Sequence, residues 1–170
     1  MSINVNNKKC KIAAVVILYN PCTAVVDNIG TYINQVDLII LVDNTEKKEF
    51  AKYASSYIVN TLSKTRTDKV RYISLDKNYG IARALNIGIK EAEKEKITYI
   101  LTMDQDSKFK NNIIDIYEKF LNQTGCGKYI LSPVYDTGRK QYKKKNVLYE
   151  KINYTMQSAD LFNCKIFDDI

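Results

Sequence analysis

Residues 98–107 read TYILTMDQDS, and this stretch decides the fold. Its first six residues are mostly apolar and bulky, as in a strand covered on both faces. Its last four carry two carboxylates, Asp104 and Asp106, that flank one residue. On an extended strand end alternate residues point the same way, so both carboxylates can face one ligand. Two hard oxygen donors suit Mg²⁺ or Mn²⁺, which keep waters and take phosphate oxygens as further ligands. The same residue types also serve as plain caps for a following helix, with no metal involved.

Outward from this stretch the chain repeats one pattern. Ile12–Leu18 (IAAVVIL) is a wholly apolar strand, broken by Tyr19-Asn20-Pro21. Pro21 fits the first turn of a helix. Residues 23–36 carry Val25, Val26, Ile29, Ile33 and Val36 at helical spacing. Residues 38–42 (LIILV) form a second strand, ended by Asp43-Asn44-Thr45. A helix follows over 47–62, with Phe50, Tyr53, Ala54 and Tyr57 as its expected stripe. Residues 70–75 form a third strand, and 76–80 a turn-rich loop. The helix over 81–95 should turn Ile81, Ala84, Leu85, Gly88, Ile89 and Ala92 inward.

After the decisive strand, 111–121 reads as a helix with Ile113, Ile114, Ile116, Tyr117 and Phe120 apolar, and 129–134 as a fifth strand. Residues 147–156 are expected to be a strand, and 162–170 to open a helix. Strands alternating with helices specify an α/β fold, a three-layer α/β/α Rossmann-like arrangement on a mostly parallel sheet. Ligands of such sheets bind beyond the carboxyl ends of the strands. The chain is read as one domain, 1–170, that breaks off within an element and is C-terminally incomplete.

Composition narrows the chemistry. The chain has no histidine, so Ser-His-Asp, Cys-His and His-ligated metal chemistry are excluded within it. Cys10, Cys22, Cys126 and Cys164 form no CxxC pair, which argues against zinc; they are expected to be free, mostly buried thiols. Residues 1–9 are polar, without a signal-peptide core, and no apolar run approaches the roughly 20 residues of a membrane span. A cytoplasmic protein is expected. The net charge is +7, much of it in Arg139-Lys140-Gln141-Tyr142-Lys143-Lys144-Lys145. That run reads either as a solvated loop or as a peripheral contact with the anionic inner membrane face. No nucleic-acid-binding motif accompanies it.

Four polar clusters thus follow four apolar strands and should converge on one sheet edge. Asp43 is expected to end its strand with an exposed carboxylate. It could accept a nucleobase imide N–H or cap the next helix; the residues leave both readings open. Asn78-Tyr79-Gly80 opens the helix containing Arg83 and Asn86. Gly80 permits positive φ, a helix start favours an anion, and Arg83 offers a fork of donors for phosphate.

Taken together, KIAAVVILYNP, LIILVDNT, DKNYGIARALNIGIKEA, YILTMDQDS and LSPV resemble family 2 glycosyltransferases of the GT-A fold, over most of residues 11–170. The DQDS form and the YNP turn are most similar to bacterial rhamnosyltransferase-like members. The resemblance implies a nucleoside-diphosphate-sugar donor, dTDP- or UDP-linked, and a glycan or lipid-linked acceptor. It places Tyr19 and Asp43 at the nucleobase, and Asn78, Gly80 and Arg83 near the nucleotide, with Asn86 supporting their helix. It places Asp104 by the ribose or a metal-bound water, and Asp106 on the divalent cation. It implies inversion, by a general base that follows Ile170 in the family; Asp160, Asp168 and Asp169 are not assigned that role. Relatives tend to carry a glycine-containing stretch where this chain has Gln157-Ser158-Ala159-Asp160. The chain by itself is therefore expected to bind donor and transfer sugar poorly.

Three other readings compete. A haloacid-dehalogenase-like phosphatase shares D-x-D-x-S after a strand, but places it on the first strand. A nucleotide-sugar-forming nucleotidyltransferase would carry a glycine-rich basic loop where Tyr19-Asn20-Pro21-Cys22 stands. A degenerate, non-catalytic binding module would hold a nucleoside diphosphate without turnover.

Overall fold

The computed structural model describes residues 10–46, 49–65, 68–133 and 158–167. The elements run β1 (Ile12–Leu18), α1 (Val25–Gly30), β2 (Leu38–Asp43), α2 (Glu49–Thr65), β3 (Val70–Ser74), α3 (Ile81–Lys94), β4 (Tyr99–Asp104), α4 (Ile113–Thr124), β5 (Ile130–Leu131) and β6 (Leu161–Asn163). A 3₁₀ turn, Cys164–Phe167, follows β6. The sheet order is β3-β2-β1-β4-β6-β5. The β1–β2, β1–β4 and β2–β3 pairs are parallel, while β6 runs antiparallel to both β4 and β5.

The uniform apolarity of β1 follows from its central place. Ile12, Ala14, Val16 and Leu18 face one core with residues of α1, α2 and α4. Ala13, Val15 and Ile17 face the other, with Ala84 and Ala92 of α3. A strand covered on both faces has no polar side to show. These two cores make the expected three layers of a GT-A-type α/β/α domain.

Small residues on α3 set how closely it lies on the sheet. Ala84, Gly88 and Ala92 are its buried stripe. A Cβ on Gly88 would fall well inside van der Waals contact with Val15 Cγ1 and 3.2 Å from Val42 Cγ2. Leu85 and Ile89 flank the stripe, half buried, and Ile81 is exposed rather than inward.

Several sequence-based expectations are corrected. The helix expected over 23–36 is regular only from Val25 to Gly30. Beyond it the chain tightens into turns with three-residue bonds, such as Tyr32 N–H to Ile29 O at 3.0 Å, that still bury Tyr32, Ile33 and Val36. On α2 the buried stripe is Ala54, Ser55, Ile58 and Leu62, while Tyr53 and Tyr57 are exposed. On α4, Ile114, Tyr117 and Leu121 are buried, and Ile116 is exposed. Residues 161–163 form a strand, not a helix, because they pair with β4 (Leu101 with Leu161). The fifth strand is short and pairs only with β6. The expected strand 147–156, the basic run 139–145 and residues 168–170 lie outside the described residues.

The expectation of four free cysteines is also corrected. Cys10 and Cys126 form a disulfide joining the lead-in to β1 with the turn after α4, their Cα atoms 6.5 Å apart. The link spans a separation of 116 residues, so no local spacing announces it. Cys22 is an exposed free thiol, and Cys164 a buried one that donates to Ile97 O at 3.4 Å. Among the described residues no helix is long and apolar enough to cross a membrane.

The packing of α3 yields a test. Alanine at a helical glycine ordinarily stabilises by up to about 1 kcal/mol. At Gly88 the added methyl meets immobile, buried valines, and overpacking costs about 1–3 kcal/mol. Gly88→Ala is therefore expected to lower the unfolding free energy in urea. Gly30→Ala, with nothing within 4 Å of its Cβ, should not. Equal responses at the two positions would contradict this packing.

Candidate functional site

The parallel registers bring the strand ends level. Leu18 pairs with Asp43, Asp43 with Ser74, and Ile17 with Asp104. The loops after β1, β2, β3 and β4 therefore leave one edge side by side, as the polar clusters in the sequence foretold.

At the β4 end, Asp104 is half buried and Asp106 is exposed. Desolvation, then the neighbouring charge of Asp106, raises the Asp104 pKa above its ordinary value, against a lowering by Ser158. Two neighbouring carboxylates, whose negative charges repel when both are ionised, are a favourable setting for a cation. Among the described residues no cluster of three or more His, Cys, Asp or Glu forms. The acidic donor set is thus this pair. It fits a hard divalent cation that completes its shell with phosphate oxygens and water.

Polar contacts that the sequence reading missed hold this turn. Gln105 Oε1 accepts the Tyr19 N–H at 3.0 Å, and Gln105 Nε2 donates to Tyr19 O at 3.1 Å. Asn28 Nδ2 of α1 donates to Gln105 O at 3.0 Å. Ser158 Oγ accepts the Asp104 N–H at 3.3 Å and lies 2.8 Å from Ser107 Oγ. Beside it Ala159 takes a positive φ of 62°. This is the conformation that glycine adopts freely.

Asp43 departs from expectation. Its carboxylate is buried, with 4% of the residue exposed, and it caps no helix, since α2 starts at Glu49. Oδ1 accepts the Thr45 N–H at 3.0 Å. Oδ2 accepts Ser55 Oγ–H at 2.5 Å and Tyr72 O–H at 2.7 Å. A carboxylate has about four acceptor positions, and these bonds take up three of them. Ser55 comes from α2 and Tyr72 from β3; the carboxylate ties both to the end of β2. Burial, followed by the bond to Asp43, pushes the Tyr72 pKa up to about 12.

The third cluster closes around Asn44. Its Oδ1 accepts the Tyr79 N–H at 2.8 Å, and its Nδ2 donates to Asn78 Oδ1 at 3.0 Å. Asn78 Oδ1 also accepts the Gly80 N–H at 2.9 Å. Gly80, with φ of 82°, stands at the start of α3 without a side-chain cap, and no acidic residue occupies the first turn. The Arg83 guanidinium lies over the Tyr79 ring, 4.3 Å from its centroid. Asn86 is exposed on the same helix. A positive helix end and a stacked guanidinium together suit an anion.

The structure brings Tyr19, Asp43, Asn78, Gly80, Arg83, Asp104 and Asp106 to one edge. Asn28, Ser55, Tyr72 and Ser158 join them only through tertiary contact. Asn44 and Thr45, next to Asp43, and Gln105 and Ser107, inside the DQDS run, are their neighbours in the chain.

The Asp43–Tyr72 bond has a measurable consequence. In the folded state Tyr72 holds its proton above the ordinary tyrosine range, so its contribution to stability is complete below about pH 10. That contribution should fade as pH rises from there towards 12. In an absorbance titration, Tyr72→Phe should remove one late-ionising tyrosine. Asp43→Asn should make Tyr72 ionise earlier, because the carboxylate charge no longer opposes phenolate formation.

Comparison with known proteins bears on the family and the fold. The model of the family described as "Glycosyl transferase family 2" matches residues 13–170. The chain is 31% identical over 155 residues to "dTDP-rhamnosyl transferase RfbF" of Shigella flexneri, covering 85% of this chain and 47% of that protein. The chain thus spans about half the length of this curated relative. Among solved structures, S. aureus TarS 1-349 superposes with a TM-score of 0.64 at 13% identity, over 94% of this chain and 48% of that one. The mannosyltransferase PcManGT of Pyrobaculum calidifontis, in complex with GDP-Man and Mn²⁺, gives 0.51 at 15% identity, over 64% of this chain and 31% of that one. A 4-diphosphocytidyl-2C-methyl-D-erythritol synthase of Anaerococcus prevotii gives 0.59 at 16% identity, over 94% and 74%. These structural likenesses speak for the fold alone. The family match over most of the residues and the identity to a curated relative carry the assignment: this chain belongs to glycosyl transferase family 2.

Proposed function

We propose that this chain binds a nucleoside-diphosphate sugar, with a dTDP- or UDP-linked deoxyhexose such as rhamnose favoured, for inverting transfer to a glycan or lipid-linked acceptor. The observation that carries the reading is the level placement of Asp43, Asp104 and the start of α3 on one sheet edge. Tyr19 and the remaining acceptor position of Asp43 offer a face and an imide acceptor to a pyrimidine base. The uncapped start of α3 and Arg83 offer donors to the diphosphate. Asp106, with Asp104, would hold Mg²⁺ or Mn²⁺. Bound there, the cation would neutralise charge on the departing nucleoside diphosphate.

The rhamnose preference rests on the Shigella flexneri relative, whose name states dTDP-rhamnosyl transfer. Asp160 is buried, so we do not propose it as the acceptor's general base.

Calorimetric titration with UDP and dTDP, with and without Mn²⁺, tests the donor reading. Metal-dependent binding is expected, and Asp106→Ala should abolish the metal dependence. Arg83→Ala should weaken the diphosphate by about tenfold or more while barely changing a nucleoside, since a lost charge-assisted bond is worth about 1.5–3 kcal/mol. A folded chain that binds neither diphosphate would refute the reading.

A further inference from the structure

The residue between the two carboxylates does something the carboxylates cannot. The β1–β4 ladder ends at Ile17 and Asp104. One residue on, the backbone turns away at Gln105 and Asp106. The Gln105 side chain then takes over as the pairing partner of β1. Its carbonyl accepts the Tyr19 N–H, and its amide donates to the Tyr19 C=O. A primary amide is the one side-chain group that copies a peptide unit's donor and acceptor together. The Gln105 backbone carbonyl is held in turn by Asn28 of α1.

From Tyr19 the bonded route continues. Asn20, at a positive φ of 44°, donates its N–H to Thr45 Oγ1 at 2.8 Å. The Thr45 N–H is held by Asp43. Neighbouring residues and short hydrogen bonds thus lead from Asp104 and Asp106, through Gln105, Tyr19, Asn20 and Thr45, to Asp43. These are the two ends of the proposed donor site.

We infer that Gln105 is a positioning residue: its side chain locks the nucleobase end and the metal end of the site into one unit, so that a nucleotide and its cation are held at a preset separation. This rests on the donor reading above. Preset spacing acts on a ligand that spans both ends, and not on one that touches a single end. Other side chains do not reproduce the lock. Gln105→Met keeps length and loses both bonds. Gln105→Glu keeps the acceptor, loses the donor, and places a carboxylate against the Tyr19 carbonyl.

The test compares two probes on the full chain and on each variant: uridine or thymidine alone, and the matching diphosphate with Mn²⁺. For the unmutated chain, the ratio of the two affinities measures the gain from engaging both ends. In Gln105→Met that ratio is expected to fall about tenfold or more, while nucleoside affinity changes less than about threefold, as two lost bonds imply. Gln105→Asn, whose shorter amide cannot span the same gap, should resemble Met rather than the parent. Thermal unfolding of each variant shows that it is folded. A parallel fall in both affinities would mean that Gln105 only supports the fold, and would overturn the inference. So would an unchanged ratio. If the unmutated chain binds neither diphosphate, the donor reading itself fails and takes this inference with it.

Discussion

Strand β1 is clamped between β2 and β4 by parallel ladders, and the site depends on that clamp. Parallel pairing delivers successive strand ends in the same direction, so the loops after β1, β2, β3 and β4 meet instead of alternating between edges. The price of this arrangement is burial on both faces, visible as an unbroken run of covered side chains from Ile12 to Leu18. Antiparallel pairing begins only outside β4, where β6 brings Ser158 and Ala159 back to the Asp104 end. The returning segment thus completes a site whose other parts all come from the parallel half.

Polar tethers hold those loops where the ladders stop. Gln105 grips Tyr19, Asn44 grips the Asn78–Gly80 turn, and Asp43 gathers Thr45, Ser55 and Tyr72. Most of these tethers join residues far apart in the chain, and they satisfy backbone or hydroxyl groups that would otherwise lose water without replacement. These bonds brace the edge from within the protein. Among the exposed charged groups set on this braced framework are Asp106, negative, and Arg83, positive. That division suits a ligand carrying both a diphosphate and a cation.

Reading helices from apolar spacing succeeded for their presence and failed for some of their faces. Tyr53, Tyr57, Ile81 and Ile116 satisfy a helical period, yet they point outward. Ala54, Ala84 and Gly88, which the same spacing turned inward, are buried, and so is Ser55, which it did not name. On α3 the reason is distance: a helix lying close on valines admits only small side chains at the contact.

The alternation of apolar strands with helical segments, the polar breaks after each strand, and the D-x-D spacing were legible in the sequence, because they arise from local periodicity and from residues within a few positions of one another. The family followed from the order of those same local pieces. Tertiary structure alone decided the burial of Asp43, the Cys10–Cys126 link, the pairing of 161–163 with β4, and the grip of Gln105 on Tyr19. The physical reason is common to all four. Each depends on partners tens of residues distant, and a hydrogen bond or covalent bond formed across such a separation leaves no periodic trace in the chain.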